Sequence, residues 1–194
     1  MKRERSFRSV AQIWFVLLPL LLQIACERPV PLEPLVLNDF ESPADLERIA
    51  WRCRTTFSLT QEFSSHGHSG LWMTLYPDPY PGLSLFLTPE EKQWRGYRYL
   101  ALEVFNPGNK PFSLVYRIDD RKNPDYSDRV NGSFSLEPGL NRWRLDLSHM
   151  QTSGSKRELD LDRIDKLLFF LVAPSQPVEL AVDNIRLEPV ILPR

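Results

Sequence analysis

The sequence predicts an all-β domain, a two-sheet β-sandwich of the jelly-roll kind, and three observations lead there. Short segments of alternating polarity recur from residue 34 to residue 187. Clusters of Gly, Pro and Asn punctuate them, as turns between strands require. Helical periodicity is weak, and 17 prolines against 8 glycines suit short strands and ordered loops better than long helices. With 42% hydrophobic and 25% charged residues the chain can bury a core, which excludes a disordered protein.

The first strand is expected over 34–41 (PLVLNDFE). Trp51, Arg52, Cys53 and Arg54 alternate in polarity, which predicts a strand with Trp51 and Cys53 turned inward together. Residues 54–60 (RTTFSLT) and 71–76 (LWMTLY) alternate as well, and only one of Trp72 and Met73 can face the core. Strands follow over 83–87, 99–105, 112–118, 132–136, 143–147, 166–172 and 178–187. Turn chemistry separates them at Ser69-Gly70, at NPGN 106–109, at Pro138-Gly139 and at PSQP 174–177. Single helical turns are expected over 43–49, 89–97 and 159–164. Trp51, Trp72, Trp94 and Trp143 are assigned to the core or the rim. No internal repeat appears, and one sandwich domain is expected over 35–190.

The N-terminus carries an address. Lys2, Arg3, Arg5 and Arg8 precede a short apolar run ending at Ala25, the pattern of a secretory signal over residues 1–25. The run is shorter than the ~20 apolar residues a spanning helix needs. Cys26 follows Ala25 directly, so the segment resembles a bacterial lipoprotein signal, in which that cysteine is lipidated. Gln23 stands three residues before Cys26, where that signal prefers Leu, and Leu22 lies one further back. An ordinary signal peptide and an uncleaved anchor are the alternatives. Residues 26–34 form a proline-rich tether, with three prolines between Glu27 and Pro34. Each alternative places the folded part outside the cytoplasm, and lipidation would face it to the periplasm or the surface of a bacterial cell envelope.

Removing the first 25 residues takes away four basic residues and one acidic residue, which moves the formal net charge from -1 to -4. A mildly acidic domain has no electrostatic case for nucleic acid as a partner. Lipidation of Cys26 would leave Cys53 alone, and an unpaired thiol in an oxidising compartment is best buried. A Cys26–Cys53 disulfide would compete with lipidation. His66 and His68 sit in a Ser/Gly-rich turn with no third ligand nearby, and thiol metal sites lack ligand spacing. No nucleophile elbow, phosphate loop or zinc-protease helix is present, so the sequence carries no catalytic motif.

The two ends of the domain, LNDFE at 37–41 and AVDNIRL at 181–187, resemble the terminal strands of jelly-roll carbohydrate-binding modules of the galactose-binding-like superfamily. Between them SHGHSGLW at 65–72, YPG at 80–82, WRGY at 94–97 with Leu100, and Asn106-Pro107 follow the family's rhythm. So do RIDD at 117–120, SDRVN at 127–131, PGLN at 138–141 and RELDLDRI at 157–164. The resemblance covers nearly the whole chain after Val36. It implies a structural calcium between the first and last strands, with Glu41 and Asp183 as side-chain ligands and Asp39 as a third. A hard cation of that kind takes six to eight oxygens.

The resemblance also implies a glycan or cell-envelope polysaccharide as partner, and two loops offer the chemistry. A pyranose has an apolar face for an aromatic ring and hydroxyls for polar side chains at its edge. Tyr76, Asp78 and Tyr80 lie in one proline-stiffened loop. Asp119, Asp120, Tyr126, Asp128 and Arg129 lie in the other. The alternative is that the tyrosines pack the rim and the charged residues pair among themselves. Three function classes therefore stand side by side: a membrane-anchored, non-catalytic carbohydrate-binding module, an envelope scaffold or assembly protein that binds another protein, and a jelly-roll lyase or hydrolase.

Overall fold

The computed structural model describes residues 32–190. The signal segment, Cys26 and residues 27–31 of the expected tether lie outside the described residues. Alternation along the chain becomes eleven strands: β1 (Leu35–Asn38), β2 (Ile49–Cys53), β3 (Thr55–Thr60), β4 (Gly70–Leu75), β5 (Gly82–Leu85), β6 (Tyr97–Asn106), β7 (Phe112–Asp119), β8 (Val130–Leu136), β9 (Gly139–Asp146), β10 (Lys166–Phe170) and β11 (Val178–Pro189). They form two sheets. The larger runs β3-β4-β11-β6-β9, with β1 also on β11; the smaller runs β2-β5-β10-β7-β8. The strand pairs are antiparallel throughout, so each sheet has one face for the core and one for solvent.

Among the described residues one short α-helix, α1 (Pro43–Glu47), lies between β1 and β2. Ser42 precedes it, and the Asp45 carboxylate accepts the Ser42 N–H at 2.8 Å. The segments 89–97 and 159–164 are hydrogen-bonded turns rather than helices, the first closed by Lys92 N–H donating to the Thr88 carbonyl at 3.1 Å.

The last strand organises the larger sheet. One edge of β11 takes β4 along Val178–Val182 and β1 along Ile185–Leu187, while β6 runs along the other edge. The register shifts between Asp183 and Arg186, and Asn184 there adopts φ 52, a conformation Asn tolerates better than most residues. A second irregularity joins the sheets. Arg54, at φ 44, is the only residue between β2 in one sheet and β3 in the other.

Inward-facing Leu37, Leu71, Leu75, Leu100, Leu114, Leu136, Leu167 and Leu187, with Phe40 and Trp94, make one continuous core between the sheets. Met73 takes the inward position and Trp72 the outward one, where it stacks on Phe63. Trp143 packs against Phe134 at 4.2 Å between ring centroids and adjoins the core, as expected. The orientation of β2 differs from expectation. A register shift between Ile49 and Trp51 leaves Trp51 opposite Ser84 and Cys53 opposite Gly82, on the outer face of the smaller sheet. Arg52 takes the other side, over the Phe57 ring at 5.5 Å.

Candidate functional site

Strand register sets out one row of side chains across the outer face of the smaller sheet: Trp51, Ser84, Leu168, Arg117 and Asn131. The next row is Cys53, Gly82, Phe170, Val115 and Ser133. The first row, with Val115 and Phe170 of the second and the loop residues beside them, lines a groove of about 740 Å³. Gly82 is required at its place. A Cβ there would lie 2.2 Å from the Phe169 carbonyl oxygen, so β5 and β10 meet this closely only with glycine between them.

Besides Phe170 on β10, three aromatic residues reach the groove from three separate parts of the chain. Trp51 comes from β2, Tyr80 from the loop before β5, and Tyr126 from a single 3-10 turn (Tyr126–Asp128) before β8. They are 39%, 57% and 65% exposed, so each keeps surface free for a ligand. Tyr80 stands edge-on to Phe170, with centroids 5.8 Å apart. The Arg129 guanidinium lies over the Tyr126 ring at 5.2 Å from its centroid. Polar groups surround these rings. Arg117 is held flat by two bonds to the fully buried Asp119 carboxylate, at 2.8 and 2.6 Å. Lys166 Nζ donates to Asn123 Oδ1 at 3.1 Å.

Of the residues expected from the two loops, Tyr80, Tyr126 and Arg129 line this groove. Asp119, two residues along the same strand, supports it by holding Arg117. Tyr76 is exposed at the end of β4 and lies outside it. Asp78 accepts the Cys53 thiol at 3.6 Å and faces Arg54 at 4.0 Å, so its role is to fasten the β2–β3 corner. Burial, then this bond to Asp78, pushes the Cys53 thiol up, which makes it a poor nucleophile. Asp120 and Asp128 are tied to Arg157. Its guanidinium meets Asp120 at 2.6 and 2.9 Å and Asp128 at 2.9 Å, and Arg121 adds a bond to Asp128 at 2.7 Å. The charged residues therefore pair as the structural alternative has it, with Arg117, Arg121 and Arg157 as partners in place of Arg129.

This pairing fastens the Tyr126 loop to the segment 153–157. The Ser127 carbonyl accepts both the Gly154 and the Ser155 N–H, and the Arg129 carbonyl accepts the Ser153 N–H at 2.9 Å. Burial pulls the Asp120 carboxyl upward, yet Arg157's hydrogen bonds, the Asp160 N–H and the guanidinium charge outweigh it and hold the group below its ordinary value. Trp51, Ser84, Arg117, Asn131, Lys166, Leu168 and Phe170 were not expected at the site. One signal pointed to them: the run 166–172 is apolar at Leu168 and Phe170 as well as at Leu167 and Phe169, more than a strand with a solvated outer face needs.

Glu41 and Asp183 lie elsewhere and clasp the loop 61–69. Glu41 accepts the His68 N–H at 2.9 Å and the Ser69 N–H at 3.1 Å, and these bonds, Ser69's first, hold its carboxyl below the usual range. Asp183 accepts the N–H groups of Ser65, His66 and Asn184 at 2.7, 2.8 and 2.7 Å, although burial pushes its carboxyl up. Asp39 sits half-buried next to Phe40. A calcium ion needs converging oxygens, whereas these two carboxylates face N–H donors. No three His, Cys, Asp or Glu side chains among the described residues are placed to share an ion. The donor set does not fit the expected calcium. Chelation is therefore expected to leave the melting temperature unchanged; a fall of several degrees in EDTA would put an ion at Glu41 and Asp183.

No family model matches the sequence. No curated protein does either. Solved structures match over most of the domain. A family 11 carbohydrate-binding module from Clostridium thermocellum, solved in complex with a beta-1,3-1,4-mixed-linked tetrasaccharide, is 15% identical with a TM-score of 0.64, covering 81% of this chain and 96% of that one. An exo-beta-agarase is 16% identical with a TM-score of 0.61, covering 82% of this chain but only 26% of the enzyme. A xylan-binding domain of family 22 is 11% identical with a TM-score of 0.52, covering 80% of this chain and 95% of that one. At such identities the likeness speaks for architecture, and the chain accordingly has the two-sheet jelly-roll sandwich of carbohydrate-binding modules.

Proposed function

We propose that the protein is a non-catalytic carbohydrate-binding module that holds a glycan in the groove on the outer face of β2-β5-β10-β7-β8. The observation that carries this reading is the convergence of Trp51, Tyr80 and Tyr126 with Arg117, Asn131 and Lys166 on one surface. Aromatic faces take the apolar faces of sugar rings, and the polar side chains between them take hydroxyls. The solved structures add weight, since one of the modules named above is described in complex with a tetrasaccharide and another as xylan-binding. Residues 1–25 and Cys26 complete the proposal: the module is exported and held on a membrane of the bacterial envelope by a lipid on Cys26.

A glycan array probed with the protein tests the binding. Alanine at Tyr80 or at Tyr126 is expected to weaken retention tenfold or more, about 1.4 kcal/mol, while the melting temperature stays within a degree or two. Both rings are mostly exposed, so neither carries much of the core. A parallel loss of stability and retention would instead assign these tyrosines to packing.

A further inference from the structure

The groove has a sign. Arg117, Arg129 and Lys166 line it, and no acidic residue does so among the described residues. Arg117 is matched by Asp119. Lys166 has the neutral Asn123 oxygen as its hydrogen-bond acceptor. Arg129 is left without a counterion: no carboxylate lies within salt-bridge distance of it among the described residues. Its Nε is buried and makes no hydrogen bond.

An unmade bond at a buried donor is costly, and more so for a charged group. Burial, then the like charge of Arg117, pulls the Arg129 guanidinium below its ordinary pKa. An anion at the part of the guanidinium that lines the groove would offset the like charge of Arg117 and supply the missing counterion. A sugar hydroxyl supplies an acceptor but no charge. A carboxylate or a sulfate supplies charge and two oxygens that fit the planar fork. Tyr126, with its ring beneath the same guanidinium, is placed to take the face of the sugar that bears the group.

We infer that the groove takes an acidic saccharide, one whose rings carry carboxylate or sulfate groups, and that Arg129 binds the anionic group. The inference rests on the glycan-binding reading above and names the class of glycan. Phosphate esters share the charge, but the neighbouring Trp51, Tyr80 and Tyr126 rings call for stacked sugar rings rather than a free anion.

Calorimetric titration of the full chain with three oligosaccharides of matched length tests it: a neutral mixed-linkage β-glucan, a galacturonan and a sulfated galactan. An acidic oligosaccharide is expected to bind at least tenfold more tightly than the neutral one, with a margin that shrinks between 0.05 and 0.5 M salt, roughly as screening predicts. Tight binding of the galacturonan or of the sulfated galactan tells which oxyanion is read. Arg129→Gln should erase the margin. Arg129→Lys, which keeps the charge but loses the fork, should restore part of it and guards against a folding defect. Arg142→Gln, on the other sheet beside Glu103, should leave it intact. Neutral glucan binding as tightly as both acidic chains, still lost in Tyr80→Ala, would overturn the acidic preference and leave the groove standing. Binding of none of the three would overturn both.

Discussion

Arg157→Ala is expected to lower stability by about 3 kcal/mol and to weaken glycan binding in the same variant. Asp120 lies beneath the loop with its side chain fully buried, and both its oxygens bond Arg157. Removing the guanidinium leaves a buried carboxylate without its counterion. The lower end of the range for broken buried pairs applies, because the Arg157 side chain is itself 27% exposed and water can partly replace it. For a domain of this size such a loss corresponds to roughly 6–12 °C in melting temperature. The loop released is the one that carries Tyr126 and Arg129, so affinity falls with it. A change of under 2 °C would show that the bonds of Ser127 and Arg129 to 153–155 hold the loop unaided.

The same ion pair gives the protein a defined acid response. Asp120 has a folded-state pKa below its unfolded value, so its contribution is fully present above the ordinary carboxylate value, near 3.9, and is lost as pH falls through the folded value. Arg157→Ala removes the largest cause of the depression. The difference in melting temperature between wild type and variant should therefore be constant at neutral pH and narrow below about pH 4.

Trp94→Ala is expected to cost about 3–5 kcal/mol, with no change in glycan affinity while the fold persists. Trp94 is fully buried, its N–H donates to the Leu161 carbonyl at 2.6 Å, and its Nε1 donates to the Glu91 carbonyl at 2.8 Å. Alanine leaves a cavity and strands the Glu91 acceptor. The residue lies outside the groove, so stability and binding separate here, whereas at Arg157 they move together. Urea denaturation alongside calorimetric titration checks both. A cost under 1 kcal/mol would mean that the turn 88–96 is loosely attached to the core.

The alternation of the strands was legible because a half-buried strand repeats every two residues, and Leu71, Met73 and Leu75 or Leu114, Tyr116 and Ile118 show it plainly. Alternation says which residues share a face, but not which face. Trp51 and Cys53 show this limit: they do lie together, but outward, because the shift after Ile49 sets Trp51 opposite Ser84. Tyr80 and Tyr126 were legible as aromatics in stiff loops. That they stand over the same groove depends on β5 and β7 both flanking β10, a pairing no local pattern encodes. Nor does any local pattern show that Asp120 is satisfied by a residue 37 positions away.

The placement of β11 has a consequence for how the molecule comes into being. Because the final strand is the common partner of β1, β4 and β6, the larger sheet has no centre until Val178–Pro189 is available. Contacts between the two ends of the chain close long loops at an entropic cost and slow the search for the native state. The larger sheet can therefore lock only when β11 is made, more than a hundred residues after β4.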